Sequence, residues 1–212
     1  PKGTTLGTFY TTMDKGSEFL SSIIAFSKYA QYLPNESRRE TRTETINRNA
    51  AMYIRKFPEL ESEITQVYQG VHRNEYLASM RSMQFGGAAI EKHNAKIFNC
   101  CGFPIEDSKA FSEIMYLLLC GCGVGYSVKR LHVNQLPTIK QPSDEVTHVI
   151  ADDIEGWADA VDALVRAYFY GESKPVFDAS KVRPAGARLS SGVIAPGPER
   201  LLVSLDKIQK IF

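Results

Sequence analysis

Residues 149–178 of the chain, VIADDIEGWADAVDALVRAYFYGESKPVFD, decide its fold class. The apolar residues 149–151 predict a short strand, and Asp152 with Glu155 three positions later resembles a helix capping box. An apolar helix face follows, formed by Trp157, Val161, Leu164, Val165 and Tyr168. The last four residues lie four, seven, eight and eleven positions after the first, as on one side of a helix. Gly171 predicts the end of this helix, and residues 176–178 predict a second strand. A strand, a helix and a strand in this order indicate an α/β architecture.

Helical patterns dominate the chain further upstream. Apolar spacing predicts helices over residues 17–33, 38–57 and 59–69. The sequence pattern changes at Ser79, where a glycine-containing stretch begins and the predicted elements become shorter. We therefore expect a helical N-terminal region over residues 1–78 and an α/β region over residues 79–212.

The α/β region contains further predicted elements. A strand is expected over residues 96–101, a helix over residues 110–119, and another strand over residues 125–128. Asp107 or Ser108 is the predicted N-cap of the helix. Two segments are predicted to be loops, residues 137–147 and the Gly- and Pro-rich residues 183–198.

The composition is that of an ordinary globular protein, with 43% hydrophobic and 23% charged residues in 212 positions. A net charge of +1 argues neither for nor against a nucleic-acid partner, and we predict no direct one. The sequence contains neither a membrane-spanning apolar run nor a signal-peptide pattern, so we predict a cytoplasmic location without membrane association.

The two ends of the chain indicate a fragment or one piece of a split protein. The sequence begins with Pro1 rather than Met, and residues 201–212 have an amphipathic helix pattern without a Gly or Asn cap. Because domains rarely stop within such a pattern, we expect a further part of the protein beyond it.

The four cysteines leave several interpretations open. Cys100 and Cys101 are adjacent, and Cys120 and Cys122 are one residue apart, so neither pair has the two-to-four-residue spacing of a zinc site. We predict no metal site, and we expect Cys120 and Cys122 to be small core residues. Cys100 follows a polar residue at a predicted strand end, where spacing alone favours a structural role over a redox role. The chain has neither a Walker phosphate loop nor a Rossmann glycine fingerprint.

Several collinear segments resemble the adenosylcobalamin-dependent (class II) ribonucleoside-triphosphate reductases. They cover nearly the whole chain, and the upstream members are residues 32–33, 38–41 and 44–45. The longer segments are residues 79–87, 96–100, 110–119, 123–128, 155–160 and 182–188. The resemblance implies a ten-stranded α/β barrel behind a helical N-terminal region, of which this chain supplies only the first part.

The resemblance also implies a chemistry. In this family a thiyl radical removes the 3′-hydrogen of the ribose, the 2′-hydroxyl leaves as water, and two cysteines supply electrons by forming a disulfide. Cys100 matches the first of these reducing cysteines. Adenosylcobalamin, bound mainly by the C-terminal part of the same reductase, generates the radical, and thioredoxin reduces the disulfide again.

Nucleotide-binding residues follow from the resemblance as well. Ser82 and Ser79 fall where the family binds substrate phosphates, and Gly86 and Gly87 would let the chain approach the ribonucleoside triphosphate. Asp107 matches a position that holds the ribose of a deoxynucleotide effector, although we favour a simple helix N-cap, and the two roles are not exclusive. The loop from Arg183 resembles the segment that links effector to substrate, and we predict nucleotide contacts by Arg188 and Arg183.

The chain departs from the family by omission. It contains neither the radical cysteine with its neighbouring acid nor a C-terminal cysteine pair. We therefore expect the isolated chain to be inactive. Two alternatives remain: a non-catalytic nucleotide-binding or regulatory remnant of a reductase, and a fragment of a diiron-type or glycyl-radical-type reductase.

Overall fold

The structure, a computed structural model, describes residues 15–187 and 194–212 of the chain. The chain divides into two compact units, Pro1–Gln84 and Phe85–Phe212, and each is described by itself. The expected division after residue 78 stays a prediction.

The first unit is mainly helical, as predicted. Its helices are α1 (Lys15–Lys28), α2 (Arg42–Lys56), α3 (Glu61–His72) and α4 (Met80–Phe85), the last of which ends at the first residue of the second unit. Strands β1 (Tyr32–Leu33) and β2 (Arg38–Arg39) form a short antiparallel pair between α1 and α2.

The short pair corrects the predicted bounds of the first two helices, 17–33 and 38–57. A 3-10 turn begins at Pro34, and Ser37 adopts a left-handed φ of 52°, so the chain reverses and Tyr32 pairs with Arg39. Thr41 then starts α2 through a capping box in which its side chain and that of Glu44 exchange hydrogen bonds with each other's backbone N–H groups.

The second unit alternates helices and strands. Its elements, in chain order, are α5 (Ala88–Lys92), β3 (Cys100–Pro104), α6 (Lys109–Leu119), β4 (Gly123–Ser127), α7 (Arg130–Val133), β5 (Glu145–Val149), α8 (Ile154–Tyr170), β6 (Lys174–Asp178) and α9 (Glu199–Gln209). Helix α6 connects β3 to β4, and α8 connects β5 to β6. The predicted α/β class is confirmed.

Each helical crossover joins two parallel strands. Cys100 of β3 pairs with Gly123 of β4, and Glu145 of β5 pairs with Lys174 of β6. In residues 15–187 and 194–212 these strands remain two separate two-stranded sheets, and no closed sheet is present.

Helix α8 forms the centre of the core of the second unit. Leu164 and Val165 are almost completely buried, and they cluster with Ile150 before the helix and with Leu201 and Leu205 of α9. Gly171 has a φ of 72° and ends α8 as predicted, because a left-handed residue at this place favours glycine. No helix in the described part of the chain is both long enough and apolar enough to cross a membrane.

Some local predictions for the second unit are wrong. The expected strand over residues 96–101 is a 3-10 turn over Asn94–Ile97 followed by a strand that starts only at Cys100, where pairing with β4 begins. The strand expected at 149–151 lies instead at Glu145–Val149 and so extends into the predicted loop 137–147. Four of the five β5 residues are exposed, so this strand has no buried apolar run that the sequence could show.

The predicted capping box of α8 is wrong as well. Asp153, and not Asp152, is the N-cap, and its Oδ1 accepts the Gly156 N–H at 2.7 Å. Asp152 binds Arg183 instead.

Candidate active site

Cys100 begins strand β3 with an exposed thiol. It lies on the face of the β3–β4 pair that also carries Gly102, Gly123 and Gly125, because residues two apart along a strand share a face. All of these residues are exposed. The strand pair therefore presents the Cys100 thiol on a face that is almost free of side chains.

Gly123 provides the space beside this thiol. A Cβ atom at Gly123 would lie 3.5 Å from Cys100 Sγ, an ordinary contact distance that the glycine leaves open. Glycine within a strand commonly marks a place where a ligand or another backbone comes close. In the sequence this glycine appeared only as part of residues 123–128, because its pairing partner Cys100 lies 23 positions away.

The other cysteines occupy different surroundings. Cys120 and Cys122 are 1% and 4% exposed, in agreement with the prediction that they are core residues. Burial raises the pKa of the Cys120 thiol. Cys101 is partly exposed, and burial together with a contact to the Cys122 thiol raises its pKa. None of the four cysteines, all of which lie in described ranges, is in a disulfide.

Ser82 lies in the interior of the first unit and not at its surface. Its Oγ donates to Asn49 Oδ1 at 2.6 Å and lies 3.0 Å from the Tyr53 hydroxyl, while Asn49 Nδ2 donates to the Tyr68 hydroxyl at 2.8 Å. Ser82 is 0% exposed. A substrate phosphate would have to replace one of these partners to reach the hydroxyl.

Ser79 is exposed at the start of α4. Its carbonyl accepts the Met83 N–H, and its Oγ accepts the Ser82 N–H at 3.4 Å, so it begins the helix. The role of either serine in substrate binding stays a prediction.

Gly86 and Gly87 are buried where the second unit begins. Gly87 has a φ of 88°, which an L side chain rarely adopts, and its carbonyl accepts the N–H groups of Ile90 and Glu91. The double glycine thus starts α5 with a sharp turn. A close approach to a nucleotide at this turn stays a prediction.

Asp107 is exposed, and its Oδ1 accepts the Ala110 N–H at 3.1 Å. The carboxylate thus caps the first turn of α6, as one of the two sequence interpretations predicted. The carboxylate keeps acceptor capacity beyond this bond, and its contact with an effector ribose stays a prediction.

Arg183 is fixed by Asp152 at the start of the Gly- and Pro-rich loop. Its Nε donates to Asp152 Oδ2 at 2.6 Å, its backbone N–H donates to Oδ1 at 3.2 Å, and a terminal nitrogen donates to the Asp152 carbonyl at 3.3 Å. The sequence analysis missed this pair because the two residues are 31 positions apart. Arg188 lies outside the described residues.

Backbone hydrogen bonds join the two described sides of the loop beyond Arg183. Gly186 N–H donates to the Ala195 carbonyl at 3.0 Å, and Ala195 N–H donates to the Ala187 carbonyl at 2.7 Å. Gly197, with a φ of 78°, fits here because an added Cβ would lie 3.0 Å from Ala185 N. Both ends of the loop are therefore held by the second unit.

Two concave surfaces belong to the second unit. A groove of about 400 Å³ between α6 and α8 is lined by four carboxylates and by two cations, Lys109 and Arg166. A second hollow of about 360 Å³ includes Gly102 and Gly125 of the Cys100 face. Throughout residues 15–187 and 194–212, no three His, Cys, Asp or Glu side chains converge as metal ligands.

The chain is similar to known reductases over most of its length. It is 24% identical to the adenosylcobalamin-dependent ribonucleoside-triphosphate reductase of Lactobacillus gasseri over 87% of this chain and 35% of the relative. For the reductases of the same name from Levilactobacillus brevis and Euglena gracilis the identities are 27% and 25%, over 87% and 69% of this chain and 34% and 21% of the relatives. A scan against protein-family models finds no match.

The fold is also that of a solved reductase. The crystal structure of a B12-dependent (class II) ribonucleotide reductase matches 89% of this chain and 36% of that chain with a TM-score of 0.76 and 21% identity. The expected fold, an incomplete part of the reductase barrel, is therefore confirmed. The chain spans about a third of the length of the lactobacillar relatives and matches their N-terminal portion.

Proposed function

We propose that this chain supplies one part of the active site of an adenosylcobalamin-dependent ribonucleoside-triphosphate reductase, with Cys100 as a reducing thiol. One observation carries the proposal: the Cys100 thiol is exposed on the glycine-rich face of β3–β4. A thiol buried in hydrocarbon would be unable to reach a ribose. The similarity to reductases over 87% of the chain supports the same reaction class.

The reduction needs two thiols. The 2′-hydroxyl leaves as water, the thiols supply two electrons and two protons, and their sulfur atoms close a disulfide. A thiyl radical on a cysteine outside this chain would begin the reaction by removing the 3′-hydrogen and would return it at the end. Cys101 is unsuitable as the disulfide partner of Cys100 because it lies on the opposite strand face and a bridge between adjacent residues strains the peptide. The partner thiol therefore belongs to the C-terminal part of the reductase.

We propose that the substrate triphosphate contacts Ser79 and Ser82 and the turn at Gly86 and Gly87. The exposed Ser79 is the most accessible of them. Ser82 would contribute only after exchanging a hydrogen bond with Tyr53 or Asn49.

We propose that Asp107, Arg188 and the N–H groups of Arg183 that Asp152 leaves unengaged contact a deoxynucleotide effector. The acidic lining of the groove between α6 and α8 would repel its phosphates, so this groove is not assigned to it. The hydrogen bonds that join Gly186 and Ala187 to Ala195 hold the residues on either side of the segment that contains Arg188.

Neither of the two hollows described above is large enough to enclose adenosylcobalamin. Pockets of roughly 300–1,000 Å³ enclose drug-sized ligands, whereas cobalamin with its adenosyl group is larger. The two hollows of the second unit hold about 400 and 360 Å³. We therefore propose that the C-terminal part of the reductase binds the cofactor. We further propose that thioredoxin reduces the resulting disulfide there and that the reaction takes place in the cytoplasm.

A chimaera tests the proposal. This chain replaces the matched third of the Lactobacillus gasseri reductase, and deoxynucleotide formation is measured with adenosylcobalamin, a ribonucleoside triphosphate and a dithiol reductant. We expect turnover by the chimaera, background product with Cys100→Ser, and retained turnover with the control Cys101→Ser. The isolated chain should form no product.

The other outcomes are equally informative. Full activity of the Cys100→Ser chimaera would remove Cys100 from the mechanism. A folded chimaera that binds nucleotides in equilibrium dialysis without turnover would favour the non-catalytic alternative.

A further inference from the structure

Cys101 and Cys122 form a second thiol pair, separate from Cys100. Cys101 lies on the strand face opposite to Cys100, and its Sγ is 3.9 Å from the carbonyl oxygen of Gly123, the residue that follows Cys122. The register pairs Cys101 with Val124, so Cys101 and Cys122 share this strand face, and their thiols are close enough to interact. This contact brings together sulfur atoms from the start of β3 and from the residue before β4.

The surroundings of Cys122 hold its sulfur in place. Cys122 Sγ lies 3.4 Å from the carbonyl oxygens of both Ala95 and Phe98, and the residue is 4% exposed. Its backbone N–H donates to the Leu117 carbonyl at 3.0 Å. Cys122 is therefore a fixed, shielded thiol beside a partly exposed one.

We propose that Cys101 and Cys122 are a peroxide-sensitive modification site, in which oxidation joins the two residues by a reversible disulfide. The site does not depend on the ribonucleotide reduction proposed above. The disulfide would tie β3 to β4 and close a loop around α6, and it would not include Cys100, which lies on the other face.

The reaction balances with hydrogen peroxide as the oxidant. The partly exposed Cys101 attacks one peroxide oxygen as its thiolate, the O–O bond breaks, and the released hydroxide becomes water by taking up a proton. Cys101 is then a sulfenic acid. Cys122 attacks its sulfur, the S–O bond breaks, and a second water leaves as the disulfide forms. The two thiols lose two electrons, and the peroxide gains them.

The remaining cysteines are poorer partners for Cys101. Cys100 is the adjacent residue on the opposite face. Cys120 is 1% exposed at the end of α6, where its thiol contacts the Tyr116 hydroxyl. Only Cys122 combines contact with Cys101 and a fixed position.

The raised pKa of Cys101 determines how the rate depends on pH. Burial and the Cys122 contact keep this thiol protonated at neutral pH, and only the thiolate attacks peroxide. Oxidation should therefore become faster as the pH rises through 7 and above. A rate that falls over this range would contradict the thiolate step.

Peptide mapping of the 212-residue chain tests the pair. The folded chain is treated with hydrogen peroxide, remaining thiols are alkylated, and the protein is digested with trypsin without reductant. The disulfide would link peptide 97–109 to peptide 110–129. Because each peptide contains two cysteines, the digestion is repeated with Cys100→Ser, Cys120→Ser, Cys101→Ser and Cys122→Ala.

The proposal predicts a specific pattern. The linked peptides should persist in Cys100→Ser and Cys120→Ser, disappear in Cys101→Ser and Cys122→Ala, and separate on addition of dithiothreitol. Circular dichroism establishes that each variant is folded, and the unaltered chain alone already reports whether the link forms. A link that requires Cys100 or Cys120, or peroxide-treated chain whose Cys101 remains alkylatable, would overturn the assignment.

Discussion

Replacing Gly156 with alanine should destabilise the second unit, although alanine is the better helix former. Gly156 lies in the first turn of α8, and an added Cβ would be 2.6 Å from Ala151 Cβ, 2.7 Å from its carbonyl oxygen and 2.9 Å from its Cα. Two of these three atoms belong to the backbone, which cannot turn away as a long side chain can. The segment that joins β5 to α8 would have to move away from the helix.

The magnitude follows from two opposing effects. Alanine gains about 1 kcal/mol of helix propensity over glycine, while overpacking costs typically 1–3 kcal/mol, and backbone contact places this case near the upper limit. The expected loss is about 2 kcal/mol. For a chain of this size, this corresponds to a decrease in Tm of roughly 4–8 °C.

A matched variant makes the test sharper. At Gly123 an added Cβ would meet Cys100 Sγ at 3.5 Å and Asn99 O at 3.8 Å, both ordinary contacts. Gly123→Ala should therefore be stabilising by about 0.4–1 kcal/mol, through the reduced entropy of the unfolded chain. Thermal and urea denaturation followed by circular dichroism measure both variants. If Gly156→Ala is as stable as the unaltered chain, the tight start of α8 against Ala151 is refuted.

Three further predictions concern charge and assembly. Asp152→Ala should cost about 1 kcal/mol in urea denaturation and speed proteolysis near Arg183, because this partly exposed pair holds the loop; an unchanged cleavage rate would refute the anchoring. Burial raises the pKa of Glu40, but hydrogen bonds from Arg48, Gln31 and Thr45 outweigh burial and lower it overall. The stabilisation by the ionised Glu40 is therefore complete above the unfolded pKa of about 4.5 and is lost as the pH falls through the lower folded pKa. Unfolding measured over an acid pH series should show this loss of stability, and Glu40→Gln should remove the dependence. The two-stranded parallel sheets, with Val146 and Val176 exposed, leave strand edges that can pair with other molecules. Light scattering should therefore show association that increases with protein concentration. A monomeric chain that melts cooperatively would contradict this.

The sequence by itself determined the architecture wherever one element carried a complete pattern. Helix α8 combines an apolar stripe with a glycine that ends it, and both features act within a few residues along the chain. Helix α6 and strand β6 were predicted for the same reason. Cys120 and Cys122 were correctly expected in the core because an apolar helix meets glycines there.

The tertiary structure decided the features that depend on partners far apart in the chain. The start of β3 is set by pairing with Gly123, which is 23 positions from Cys100 in the sequence, and the role of Asp152 is set by Arg183. Neither Gly123 nor Arg183 can be recognised as a partner from the spacing of apolar residues along the chain. The bounds of strand β5 were predicted wrongly because four of its five residues are exposed, so its position depends on pairing with β6 and not on an apolar run.

The candidate site divides in the same way. The resemblance of collinear segments was enough to single out Cys100, but spacing alone favoured a structural role for it. Only the register of β3 with β4 decided that Cys100 is exposed opposite a glycine while its neighbour Cys101 contacts Cys122 on the other face. The physical reason is that adjacent strand residues point in opposite directions, so the start of the pairing assigns each thiol to its face.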